Sequence, residues 1–233
     1  MSDKGGSFMR NFLIPNYSRP GPGIDRNAPK KTGIPLLIET FCIEFTTLLK
    51  LNFIFLIYCI PIITIGPAIA GMTNVTLKMV KDEPSDLIYD FKEGFKKNFK
   101  QGIVLGAVGV ISVLLIGCAF LFYMQLTGIY YYLMMFIISS ATILFFMGYM
   151  YMFPMAISVN LNIRAIIKNS FILALVSFKK SFITVAICGL IIIFGFVFRF
   201  LTIPVILIFF SFSFSSFMTS FYAWERIEKD IIK

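Results

Sequence analysis

The sequence predicts an all-α protein, a polytopic bundle of transmembrane helices. Two observations carry that prediction. Hydrophobic residues fill 58% of the 233 positions and charged residues only 14%, where soluble chains carry roughly 25% charged. The apolar residues also gather into runs near the roughly 20 residues that cross a bilayer as one helix. One transmembrane domain accounts for residues 34–223, between a polar arm at 1–33 and a charged tail at 224–233. The net charge of +9 does not point to nucleic acid, because the basic residues flank apolar runs as the positive-inside rule requires. The expected partner of this surface is the lipid bilayer.

The arm is rich in Gly and Pro (Pro20-Gly21-Pro22-Gly23) and carries Arg10, Arg19, Arg26, Lys30 and Lys31. It suits an anionic inner leaflet, a partner subunit or plain solvation. It shows no compact apolar core followed by a small-residue cleavage site, so no cleaved signal peptide is expected. From Ile34 a helical pattern sets Glu39, Thr40, Glu44, Thr47 and Lys50 opposite Leu37, Ile38, Phe41, Phe45 and Leu48. This stretch is an interfacial turn-in or an extension of the first span, with Glu39 and Glu44 near the headgroups.

The first long apolar run, 51–79, is broken by Pro61, Gly66 and Pro67. Proline removes a backbone donor and disturbs the preceding turn, so the break is a turn or a kink. A turn makes a helical hairpin and gives six spans with both ends cytoplasmic. A kink gives five spans with the N-terminus outside. Basic residues favour the hairpin: all of the 21 Lys and Arg except Lys50 and Arg199 then fall on one side.

Between Lys81 and Lys100, Leu87, Ile88, Phe91, Phe95 and Phe99 recur at helical spacing, and the other side carries Asp86, Asp90, Glu93, Lys96 and Lys97. This predicts a cytoplasmic amphipathic connector helix on the membrane face. Asp90 and Glu93 read as solvated charges. The span 101–123 follows, with Gly102, Gly106, Gly109 and Gly117 on one side as a smooth stripe for helix packing. The next span, 129–159, opens with Tyr130, Tyr131 and Tyr132 in an aromatic belt and holds Pro154 as a further break near its inner end. A second connector, 162–178, carries Arg164 and Lys168 and leads to the span 181–198. The last span, 205–223, places Ser211, Ser215 and Thr219 four apart, again a packing pattern, and ends at Trp224.

Phe95-Lys96-Lys97-Asn98-Phe99 has an echo in Phe178-Lys179-Lys180-Ser181-Phe182. Each follows a connector, and each connector follows a span with a proline and small residues (Pro67-Ala68, Pro154-Met155-Ala156). A parallel internal repeat gives this order; so does chance similarity between apolar segments.

Cys42, Cys59, Cys118 and Cys188 lie in apolar segments without a CxxC pair and read as small packing residues. With no His, no phosphate loop and no nucleophile motif, no enzyme activity, metal or cofactor is expected.

The stretch CIPIITIGPAIAGMTNVTLKMVKDE, with Pro61, Thr64 and Gly66, followed by DFKEGFKKNFKQG, resembles the YesL-like family of bacterial integral membrane proteins, a domain of unknown function (DUF624). The resemblance covers residues 10–101 and implies a small multi-pass protein of the bacterial plasma membrane. Genes of that family often neighbour carbohydrate ABC importers, which implies a non-enzymatic accessory or regulatory component of carbohydrate uptake. Its partner would be a permease or ATPase subunit docking on Phe91, Phe95, Lys96, Lys97 and Phe99. The alternative is an autonomous small transporter or channel, with Thr73, Asn74 and Thr76 the polar cluster near its broken helix.

Overall fold

The computed structural model describes residues 33–197 and 202–232. The basic arm and the turn at Arg199 lie outside the described residues. Among those described there are eight α-helices and no strand: α1 Ile34–Tyr58, α2 Ile65–Val80, α3 Leu87–Lys97, α4 Phe99–Tyr123, α5 Ile129–Ser158, α6 Ile163–Val176, α7 Phe178–Val197 and α8 Thr202–Ile227. The chain divides into two units, Met1–Leu36 and Leu37–Lys233, and the packing described here lies within the second.

The stretch 34–50 is the beginning of α1 and not a separate interfacial helix. The break in the first apolar run is a reversal confined to Cys59–Thr64. Pro61 is extended (φ −78°, ψ 120°) and a 3-10 turn follows at Ile62–Thr64. The Thr64 hydroxyl lies 2.6 Å from both the Tyr58 and the Pro61 carbonyl oxygen, which the reversal takes out of the helical ladder. Gly66 and Pro67, expected to be part of the break, are instead in the first turn of α2. A proline is tolerated there because the first amides of a helix have no intrahelical acceptor. Pro154 does not break α5 either: the helix is continuous through it and ends only four residues later, at Ser158.

The reversal is a hairpin. The cleft that Glu44, Thr47 and Lys50 of α1 form with Met79 and Asp82–Ser85 brings the far end of α2 back to the level of mid-α1. Leu48, Leu51 and Phe55 pack with Ala68, Met72, Val75 and Met79, together with Phe91 and Phe217. The tip of this hairpin is apolar and open, with Ile60, Ile62 and Ile63 more than 70% exposed. Helix α2, at 16 residues, rises about 24 Å, short of the roughly 30 Å hydrocarbon core.

Three helices among the described residues are long and apolar enough to cross a membrane: Ile34–Tyr58, Phe99–Tyr123 and Ile129–Ser158. A fourth span is added if α6 and α7, bent by 100° at their junction, count as one. Exposed apolar side chains such as Ile111, Leu114, Leu121, Phe136 and Leu144 on α4 and α5 form the lipid-facing surface.

Each connector folds back along the helix before it. Glycines let α3 lie against α2: a Cβ at Gly71 would meet the Phe91 carbonyl oxygen at 2.8 Å, and one at Gly94 would meet Asn74 Cβ at 2.6 Å. Helix α6 covers the second half of α5, where the Phe171 ring occupies the space beside Gly148. That half of α5, from Met147 to Ala156, forms a core cluster with Ile166, Leu173, Ala174, Ala223 and Ile227.

Candidate functional site: the charged end of the bundle

Polar and charged contacts tie together five parts of the chain at the ends of its helices. The Lys81 ammonium sits 4.0 Å over the Trp224 ring, tying the end of α2 to the end of α8. Lys180 pairs with Glu225 at 2.6 Å, bringing in the start of α7. Gln101 Nε2 donates to the Leu161 carbonyl oxygen at 3.4 Å, linking the start of α4 to the loop before α6.

The charged side chain buried among the described residues is Asp90, only 2% exposed. Its Oδ1 is 2.7 Å from the Lys78 ammonium, and its Oδ2 accepts from Ser85 Oγ (3.0 Å) and the Asp86 amide (2.9 Å). Asn74 Nδ2 donates to the Asp90 carbonyl oxygen at 2.8 Å. Asp86 caps α3, its Oδ1 accepting from the amides of Ile88 and Tyr89. Lys78 is held above its ordinary pKa by its hydrogen bond to Asp90. A buried carboxylate is tolerated where charge and hydrogen bonds satisfy it, so this set fixes the loop 81–86 and the entry angle of α3. Asp90 is therefore not the solvated charge that the sequence suggested. It faces α2, while Glu93, three residues on, is exposed and 3.9 Å from Lys78.

The five residues expected to dock a partner separate into two groups. Phe91 is fully buried, its ring 5.0 Å from that of Tyr58 and packed into the α1–α2 core, so it is a core residue and not a docking one. Phe95 is half-buried against Tyr58 (5.1 Å) and Phe99 (5.5 Å). Lys96, Lys97 and Phe99 are exposed. The helical pattern placed Ile88 with the apolar side, yet Ile88 and Tyr89 are 57% and 67% exposed and extend the surface made by the lysines.

Gly102 and Gly106 of the expected packing stripe lie at a helix contact. A Cβ at Gly102 would meet Pro67 Cα at 2.9 Å, and one at Gly106 would meet Gly66 Cα at 2.7 Å, so α4 touches the start of α2 backbone to backbone. Gly109 instead receives the Tyr149 ring, and Gly117 faces open space. Ser211 is buried. The Ser215 carbonyl oxygen is 4.0 Å from Cys188 Sγ on α7. The hydroxyls of α8 that reach α2 are the next ones along, Ser216 and Ser220, at 3.2 and 2.8 Å from Thr76 Oγ1. Thr73 donates to the Ile69 carbonyl oxygen of its own helix.

Sequence reasoning passed over Asn52. It is fully buried in α1, its Oδ1 accepts from the Ser213 amide of α8 at 3.0 Å, and its Nδ2 has no partner among the described residues. An isolated Asn in an apolar run was the available signal. Of the cysteines, Cys188 is buried, Cys59 half-buried, and Cys42 and Cys118 are exposed on the apolar surface. Among the described residues no three His, Cys, Asp or Glu side chains converge as a metal site.

Comparison with known families gives one match. The model of the family described as "protein of unknown function, DUF624" matches residues 48–125. The match runs from mid-α1 through α2, α3 and α4, so it contains the hairpin tip, the Asp90 set and the Gly102–Gly106 contact. No curated protein and no solved structure matches the chain.

Proposed function

We propose that this protein is a non-enzymatic accessory or regulatory component of a membrane uptake system in the bacterial plasma membrane, with carbohydrate ABC importers as the partner class. The observation that supports the reading is the outer face of α3. Ile88, Tyr89, Lys96 and Lys97 are exposed on a helix whose inner side is locked by Asp90 and Phe91, and Phe99 is exposed where α4 begins. A rigid helix that presents aromatic, aliphatic and basic side chains at the membrane boundary suits a protein partner, because little ordering entropy is lost when it docks. Both termini lie on the cytoplasmic side in this reading, following the basic residues of the charged end. A permease or ATPase subunit would approach from there.

The test is a mild-detergent purification of the tagged full-length protein from its native membrane, beside a K96E/K97E variant. A permease or ATPase subunit should accompany the wild type in stoichiometric amount and be lost from the variant. A homo-oligomer without such a partner would refute the reading.

A second reading, an autonomous transporter or channel, is favoured by one observation. Asn52, Thr76, Ser213, Ser216 and Ser220 are a buried polar group among α1, α2 and α8, and the Asn52 amide nitrogen is unpaired among the described residues. Uptake of labelled sugars by proteoliposomes that is lost in Asn52→Leu would support it. A folded protein without uptake would count against it.

A further inference from the structure

The outer face of α6 changes character along its length. Arg164 and Lys168, one turn apart, are exposed, and neither has an ion-pair partner among the described residues. The following turns of the same stripe expose Ile172, Leu175 and Val176 by 47%, 63% and 63%. The opposite face, with Ile166, Ser170, Leu173 and Ala174, is buried. From Arg164 to Val176 the stripe rises about 18 Å. It begins three residues after Leu161 and ends where the chain turns by 100° into α7.

A basic head that passes into an apolar slope complements a single phospholipid, with phosphate at the head and a hydrocarbon chain on the slope. A guanidinium fork matches phosphate oxygens, and a lysine adds a point charge beside it. The outer face of α3 differs, since it mixes both signs, with Lys92 beside Glu93. We propose that the α6 stripe binds one anionic phospholipid of the surrounding leaflet. Arg164 and Lys168 hold its phosphate, and Ile172, Leu175 and Val176 seat an acyl chain. This site is independent of the partner surface on α3.

The test titrates the full-length protein in mild non-ionic detergent with phosphatidylglycerol, with phosphatidylcholine of the same chains, and with soluble glycerol phosphate. Thermal-unfolding midpoint and lipid retained in native mass spectrometry are the readouts. Phosphatidylglycerol should raise the midpoint and stay bound, and the other two should do neither. R164Q/K168Q should keep the lipid-free midpoint and weaken phosphatidylglycerol binding on the order of thirtyfold. Should the double variant not fold, R164Q and K168Q alone should each weaken it about fivefold. Equal shifts with phosphatidylcholine, a full shift with glycerol phosphate, or unchanged binding in the variants would overturn the proposal. So would a double variant that keeps the lipid and loses a co-purifying protein, which would make the stripe a protein interface.

Discussion

Asn98 and Ser177 hold the same backbone conformation at the two connector-to-span junctions, with φ −103° and ψ 19° at one and φ −105° and ψ 32° at the other. Each amide returns to the carbonyl four residues back, Gly94 and Leu173. Each carbonyl accepts from the amide four residues on, Gly102 and Ser181. The two bends therefore keep the helical ladder while changing direction. They also correct the register of the sequence echo. Asn98 is the fourth residue of its Phe-Lys-Lys motif, whereas Ser177 precedes the second motif. The structural counterpart of Phe178-Lys179 is thus Phe99-Lys100, one turn on, and Pro67 and Pro154 do not correspond.

Exchange of the junction residues follows from this likeness. N98S should leave the unfolding midpoint in detergent nearly unchanged, whereas S177N, which puts a larger side chain at a buried position, should cost about 1–3 kcal/mol. Proline at either position removes the junction donor and should cost about 3 kcal/mol. A proline variant as stable as the wild type would show that the junction bonds contribute nothing.

The contact of α2 with α4 has no room for side chains. A Cβ at Gly66 would run into the carbonyl of Gly102, which belongs to a helix backbone and cannot rotate away. Gly66→Ala should therefore destabilise by about 1–3 kcal/mol. Gly117→Ala, in the same stripe as sequence reads it but facing open space, should be neutral or stabilising by about 1 kcal/mol. Thermal unfolding of the two variants side by side checks the contrast.

Replacing Asp90 by Asn leaves Lys78 without its carboxylate and should cost about 2 kcal/mol, less than for a fully buried pair because Lys78 keeps 26% exposure. The pH dependence has a defined sign. The pKa of Lys78 is raised by folding, so its contribution is complete below the ordinary lysine value of about 10.4 and is lost as pH rises through the raised value. The wild type should lose stability on that alkaline limb, and K78M should lack this component. Equal alkaline limbs in the two proteins would remove Lys78 from the account.

Thr76→Val breaks the hydroxyl contacts with Ser216 and Ser220. The expected cost is about 0.6 kcal/mol, the ordinary size for such bonds in membranes. Phe217→Ala, removing a fully buried ring beside them, should cost about 3–5 kcal/mol. A larger effect for Thr76→Val would mean that the polar contacts, and not the rings, hold α8 in place.

Much of the helix order was legible because apolar runs and their polar flanks repeat at helical period. Pro61 announced a break. The role of Asp90 was not legible: its partners Lys78 and Ser85 lie on a different helix and a loop, so spacing within α3 grouped it with exposed charges. Phe91 and Phe99 look alike in a helical projection, yet only the reversal at Cys59–Thr64 brings Tyr58 over one of them. Ser215 and Ser216 differ by one position, and which of them meets α2 depends on the rotation of α8, set by Asn52 and its neighbouring rings.

The α1–α2 reversal decides whether the start of α1 and the loop before α3 share a side, and its depth is the most direct test. The tip is apolar and exposed, and Gly66 meets α4 at Gly102–Gly106, well before that helix ends at Tyr123. The tip is therefore predicted to lie inside the bilayer. A spin label on Ile62→Cys, in protein otherwise free of cysteine and reconstituted in lipid, reports its surroundings by relaxation with oxygen and with a water-soluble nickel complex. High oxygen and low nickel accessibility, as deep in hydrocarbon, is the predicted result. High nickel accessibility would put the tip in water on the far side and make the hairpin two complete spans, contradicting the account.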